Sequence, residues 1–204
     1  MPVRRPDVID AAMELLDETG LDELSTRKLA ERLGLRVGAL YWHVKNKDEL
    51  LAELADRIVA EALAEPVPAT GLADRLADTA SALRRAMLAH RDGARLVAGY
   101  AVPGPHSLAL ADRLLGITRA VGIPLPLAAT VTDALLGYTI GFVLQEQLQP
   151  RHPAPTTPPD LSGLPHLAEL AAAGFPDRDA SFRAGTRLIT AGLAATTATA
   201  TGPG

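Results

Sequence analysis

The chain has 204 residues, of which 48% are hydrophobic and 3% aromatic, and it contains no cysteine. That composition excludes a disulfide framework, a thiolate metal site and a cysteine nucleophile, and it suits a reducing cytoplasm. The net charge of -4 argues weakly against nucleic acid, but the charge is unevenly spread: between Ser25 and Lys47 stand Arg27, Lys28, Arg32, Arg36, Lys45 and Lys47 against Glu31 alone.

The first segment carries two arginines and then acids set in an amphipathic pattern, with no apolar run of the kind a signal peptide needs, so none is expected. Ile9, Ala12, Met13, Leu15 and Leu16 recur at helical spacing, Pro6 is tolerable in a first turn and Gly20 is placed as a stop. Ser25 can cap a second, short helix, TRKLAERL, that ends at Gly34. After the turn Gly34, Leu35, Arg36, a third helix is expected from Val37 to His43, with Leu40 facing inward. Asn46, with Glu49 three residues on, is a capping-box arrangement for a fourth helix lasting to Ala64.

EPVPATG, residues 65 to 71, interrupts the helical composition and reads as a linker. Beyond it, helices are expected near 72 to 89, 94 to 101, 105 to 121, 126 to 149, 164 to 173 and 178 to 195. No stretch alternates as a strand does, so the fold class is all-α. Residues 124 to 144 approach membrane-spanning length, but Asp133 sits mid-segment, where a carboxylate costs about 3 kcal/mol in lipid, so a helix buried in protein is expected and no membrane partner. The proline-rich stretch 150–165 reads as a mobile loop, and the low-complexity tail 197–204 as disordered. The resulting organisation is a head, residues 1–47, joined through helix 48–64 to a larger domain, 65–204.

Two short helices joined by a tight glycine turn form a helix-turn-helix, whose second helix fits a DNA major groove. Thr26 and Arg27 open the preceding helix and Lys47 opens the fourth, where backbone N–H groups and side chains meet phosphate. Tyr41 and His43 present polar donors beside the groove, and the indole of Trp42 is expected to pack inward while still donating a hydrogen bond. Taken alone, the aromatic pair also fits an ordinary small core.

The motifs TRKLAERLG and LYWHVKNKDELL together resemble the DNA-binding domain of the TetR family of transcriptional repressors, over about Val8 to Leu63. HRDGAR at 90 to 95, the turn at Gly122 and GYTIGFVLQEQ at 137 to 147 are similar to the ligand-binding domain of that family's tetracycline-repressor subgroup. The resemblance implies a helix-turn-helix head on a helical ligand-binding and dimerisation domain. It also implies phosphate contacts from Thr26, Arg27, Tyr41, His43 and Lys47, with Trp42 and Lys45 beside them. Base readout falls to Arg36, Val37, Gly38 and Ala39. Of these Arg36 alone can pair bidentately with guanine, while Val37 and Ala39 can touch thymine methyls.

The same resemblance places a metal-ligating His at Val97 and a Glu at Gln145, so magnesium and other metals are not expected, nor any cofactor. Leu63, Thr79, Leu83, Met87, Val97, Tyr100, Leu114, Ile117, Tyr138 and Gln145 are expected to line a largely apolar pocket for a small hydrophobic effector, unless the leucines simply fill the core. Gly137, Gly141, Ala184, Gly185, Ala191 and Gly192 on the long apolar helices are expected at a homodimer interface, so that the pair reads a palindromic operator in double-stranded DNA.

His90 and Asp92 read as helix caps rather than a catalytic pair, and His106, His152 and His166 have no ligand-spaced partners. An all-helical enzyme lacks a nucleophile or phosphate loop here, so no catalytic residue and no enzyme is expected. An interaction module that has lost operator binding is the remaining alternative.

Overall fold

A computed structural model describes residues 3–68, 70–100, 104–148 and 159–200, with side chains as far as Leu193. Its elements are α1 (Arg5–Thr19), α2 (Thr26–Arg32), α3 (Val37–Leu40), α4 (Lys47–Ala64), α5 (Leu72–Ala89), α6 (Gly93–Gly99), α7 (Pro105–Arg119), α8 (Leu125–Gln147), α9 (Pro165–Ala173) and α10 (Arg178–Ala200). No strand occurs among the described residues, and the fold is all-α.

The head is α1 to α3 with the start of α4. Gly20 closes α1 at φ 82° and Gly34 ends α2 at φ 65°, left-handed positions that an L side chain resists. Ser25 accepts a hydrogen bond from the Lys28 N–H at 3.2 Å, capping α2. Asn46 caps α4 by accepting from the Glu49 N–H at 2.7 Å. The Glu49 carboxylate reaches back to the Lys45 N–H at 3.0 Å, one residue before the cap itself. Leu16, Leu29, Leu40 and Leu54 are completely buried and tie the four helices together.

The third helix is shorter than its expected span of Val37 to His43. After Leu40 the chain tightens, with Trp42 N–H donating to Ala39 and His43 N–H to Leu40, both three residues back. This turn delivers Val44 to the core, 1% exposed.

α4 runs from the head into the larger domain, where it packs on α5, α6 and α7, while α8 packs on α5, α6, α7 and α10. One continuous apolar core spans both parts, from Val8 and Leu16 to Leu135 and Phe182. α8 is long and apolar enough to cross a membrane by length and composition, yet a third of its most apolar window is buried in this chain. Its open face includes Ala129, Asp133 and Gly137.

α10 continues to Ala200, five residues beyond its expected end at 195, because alanine sustains a helix. Of the expected disordered tail 197–204, residues 201–204 lie outside the described residues. The same holds for 150–158 of the expected mobile loop 150–165, and its remainder leads into α9, which buries no residue.

Candidate DNA-binding head and effector domain

On the head, Arg36 occupies the N-cap position of α3, and Arg36, Val37 and Gly38 are exposed with Ala39 half-buried beside them. Tyr41 is 48% exposed and Trp42 89%. The expectation that Trp42 packs inward is therefore corrected. Leu40 and Val44 take the inward positions of this turn, which leaves the indole on the opposite side, facing solvent. His43 is half-buried, while Lys45 and Lys47 are exposed at the mouth of α4.

The local cationic excess is smaller than the sequence count implies. Arg27 pairs with Glu31 at 3.1 Å, Lys28 with Glu23 at 2.6 Å, and Arg32 with Glu18 and with Glu14 at 3.6 Å. Among the described residues, Arg36, Lys45 and Lys47 make no side-chain ion pair, and they flank the exposed aromatics along the chain. Thr26 is half-buried behind the Ser25 cap, and Arg27, on a strongly exposed side chain, keeps a weak surface pair that a phosphate can replace.

In the larger domain the structure separates the residues expected to line one pocket. Leu83, Met87, Val97, Leu114 and Ile117 come together in the continuous core, each at most 6% exposed, and Thr79 is buried as well. Leu63 is half-buried at the end of α4, and its carbonyl accepts from Arg113 at 3.0 Å. Three others lie elsewhere. Tyr100 lines a cleft of about 600 Å³ with Asn46, Ala52 and Ala98, between α4 and α6. Gln145 points to solvent, because the turn of α8 that carries it buries Val143 instead. Tyr138 faces α10, stacked on Phe182 with ring centres 5.5 Å apart, its hydroxyl donating to the Ser181 and Phe182 carbonyls at 3.3 Å.

That tyrosine also packs against Gly185. A Cβ there would overlap the Tyr138 hydroxyl, so this glycine makes room for a ring of its own chain. Gly137, Ala184, Ala191 and Gly192 are exposed and Gly141 is half-buried.

Several residues that position the head carry no motif. The α5–α6 turn, His90 to Arg95, meets the end of α1. Asp92, at φ 59°, accepts the Leu21 N–H at 2.9 Å through its carboxylate, so it reaches across to the head instead of capping its own helix. Arg95 pairs with Asp22 at 2.8 Å, and Arg91 donates to the Glu18 carbonyl at 2.8 Å. Gln147 pins this turn from α8, accepting from the Ala94 N–H at 2.9 Å and donating to the carbonyls of Met87 and His90. Asp56, a buried acid of α4, caps α7 by accepting from the N–H groups of His106 and Ser107. The turn signal HRDG was visible in the sequence, and its partners in α1 were not.

An exposed recognition segment at the end of a short helix pair, carried by a helix that enters a larger helical domain, defines the helix-turn-helix transcriptional regulators. The model for bacterial regulatory proteins of the tetR family matches residues 8–54, and that for the tetracyclin repressor-like C-terminal domain matches 65–197. The chain belongs to the TetR family, whose members are transcriptional regulators and not enzymes.

The chain is 43% identical to the tetracycline repressor protein class A from transposon 1721 of Escherichia coli, over 69% of this chain and 65% of that protein, just under two thirds of its length. A structure described as a possible TetR family transcriptional regulator from Streptomyces coelicolor A3(2) superimposes with a TM-score of 0.84 at 37% identity, covering 94% of this chain and 99% of that one. The Streptomyces coelicolor protein ActR in complex with actinorhodin gives 0.82 at 30% identity, covering 96% and 99%.

Proposed function

We propose that this chain is a cytoplasmic, effector-released repressor that binds a palindromic operator as a homodimer. The observation that carries the reading is the tip of the head, where Arg36, Val37 and Gly38 stand exposed beside an indole that the chain's own packing leaves uncovered. Thr26, Arg27, Tyr41, His43, Lys45 and Lys47 hold the sugar-phosphate backbone in this reading, and Arg36 reads a base. Pairing through the open faces of α8 and α10, with Gly137, Gly141, Ala184, Ala191 and Gly192, sets two heads about 34 Å apart on successive major grooves.

The effector is a small, largely apolar molecule bound without magnesium. Val97, 6% exposed among hydrocarbon side chains, supports this, since it stands where the family resemblance puts a metal-ligating imidazole. The group Leu83, Met87, Val97, Leu114 and Ile117 is closely packed, so the effector must part these side chains to enter, with Thr79 as the polar contact. By linkage, a ligand that favours a splayed arrangement of the heads weakens the operator complex.

The test is a footprint of the full-length protein on the DNA flanking its own gene at low ionic strength, with and without a panel of polycyclic hydrophobic compounds, in chelator and in magnesium. Protection of a two-fold symmetric site, lost on adding a compound in chelator, is expected. A monomeric protein that protects no duplex overturns the reading, and release only in magnesium overturns the metal-free effector.

A further inference from the structure

His90 ends α5 where the larger domain meets the head. Its ring is 12% exposed and lies between two acids, with Nδ1 3.0 Å from Oδ2 of Asp17 in α1 and Nε2 3.0 Å from Oε2 of Glu61 in α4. The two carboxylates stand at opposite ring nitrogens, so they do not converge on a common point. The other oxygen of Asp17 accepts the Arg91 N–H at 3.0 Å. Three helices of different parts, α1, α4 and α5, thus meet on one imidazole.

The charge around the ring comes from every packed element. From α1 come Asp17, Glu18 and Glu14, the last two paired with Arg32, and Asp10, paired with Arg57. From α4 come Glu61 and Arg57, 3.8 Å apart. The turn into α6 contributes Arg91, Asp92 and Arg95, which faces Asp22, and α8 contributes the neutral Gln147, whose amide donates to the His90 carbonyl at 2.8 Å. Histidine is the one side-chain type among these that ordinarily titrates near neutral pH.

An imidazolium donates from both nitrogens and satisfies both carboxylates. A neutral imidazole donates from one and turns a lone pair toward the other acid, which repels it. We propose that His90 makes the junction of head and larger domain a proton-operated clasp, closed on both α1 and α4 when the ring is protonated and released from one of them when it is not. Burial opposes the proton, but the hydrogen bonds that the ring donates to Glu61 and Asp17 outweigh it and hold the His90 pKa above its ordinary value. The stabilisation is therefore complete below about pH 6.5, the ordinary histidine value, and disappears as pH rises through the higher folded one.

The test follows hydrogen exchange in the segments 17–22 and 90–95 of the full-length protein, comparing wild type with His90→Gln at each pH so that the intrinsic pH dependence cancels. At pH 6 the wild type should exchange about tenfold more slowly, the order expected for one charge-assisted hydrogen bond, and the two should converge by pH 9. Proton NMR titration of His90 supplies a second readout. Its midpoint should lie above 6.5 in the wild type and move down in Asp17→Asn and in Glu61→Gln, which each remove one anion. A merely structural histidine would leave a protection difference independent of pH. That result, or a wild-type midpoint at or below 6.5, overturns the clasp.

Discussion

Replacing Gly104 with alanine isolates the contact by which α4 holds α7. Gly104 is the N-cap residue of α7, with φ -74° and ψ 168°, a conformation alanine adopts freely. By backbone entropy alone the change should stabilise the chain by about 0.4–1 kcal/mol. A Cβ at this position, however, would overlap Cγ and Oδ1 of Asp56 and stand 2.9 Å from its Cβ. Asp56 is 7% exposed on a short side chain. It accepts from the Ser107 N–H at 2.9 Å, the Ser107 hydroxyl at 3.0 Å, the His106 N–H at 3.1 Å and the His106 ring Nδ1–H at 2.7 Å.

Displacing the carboxylate forfeits the helix cap, worth about 1 kcal/mol, and weakens hydrogen bonds to a charged acceptor, worth about 1.5–3 kcal/mol each. Against the small entropic gain, a net loss of about 3 kcal/mol follows, and for a chain of this size that lowers the melting temperature by roughly 6–12 °C. Thermal unfolding of wild type, Gly104→Ala, Asp56→Ala and the double variant, at one protein concentration, measures it. In the Asp56→Ala background the Gly104→Ala penalty should fall sharply, leaving only the contact with the Cβ of residue 56. An unchanged or raised midpoint for Gly104→Ala alone, or an equal penalty in both backgrounds, refutes the reasoning.

The same carboxylate predicts an acid response. Burial raises the Asp56 pKa, but hydrogen bonds from Ser107 and His106 outweigh it and hold the group below its ordinary value, so its stabilisation is present above about pH 4 and is lost as pH falls through the folded value. Asp56→Asn should flatten that part of an acid-unfolding curve, and an unaltered curve would remove the assignment. Trp42 is the single tryptophan, so fluorescence reports it alone. Emission should be that of a water-exposed indole and should change on adding operator DNA, while Trp42→Ala should weaken binding without moving the melting temperature; emission of a buried indole contradicts the exposed position. Arg36→Ala should relax preference at one base, by about 1–3 kcal/mol of discrimination, whereas Lys47→Ala should weaken all sequences and lower the salt slope by about one. Competition binding over a salt series separates the two, and a uniform effect of Arg36→Ala would count against base readout. Gly185→Ala should destabilise the protomer by forcing Tyr138 aside, with partial recovery when Tyr138→Leu is added. Dissociation of the dimer with no loss of protomer stability would return Gly185 to the interface.

Helix boundaries were legible because local chemistry sets them: Gly20 and Gly34 stop their helices, Ser25 and Asn46 cap theirs, and α5 runs over Leu72–Ala89, between the linker and HRDG. Exposure at the tip of the head was harder to read. The sequence pattern puts Leu40 inward, but nothing local says that the turn after it tightens, buries Val44 and leaves Trp42 outside. The expected pocket mixed residues of two kinds. Leu83, Met87, Val97, Leu114 and Ile117 do converge, since each lies on its helix's apolar face, whereas Tyr138 was drawn away by Phe182 in α10, a partner more than forty residues distant. Long-range pairs such as Asp56 with Ser107, or His90 with Asp17, leave no periodic trace in either segment.

Those pairs bear on how the head can move. α4 and α1 share buried apolar side chains together with ion pairs at partly exposed positions, Arg5 with Glu53 at 2.7 Å and Arg57 with Asp10 at 3.3 Å, which fix the register only weakly. The junction of α1 with the α5–α6 turn is built differently. It depends on directional bonds: Asp17 to His90 and Arg91, Leu21 to Asp92, Asp22 to Arg95. Such bonds weaken steeply with angle and distance, so a rotation of the head breaks several of them together rather than stretching each a little. The α5–α6 turn that holds them is itself fixed by Gln147 of α8, and Gly93 there has no room for a side chain against the Met87 backbone. An effector that parts Met87 from Val97 disturbs the two helices that frame this turn. In the proposed reading the route from that packed core to the head is therefore short, and α8 takes part in it alongside α4.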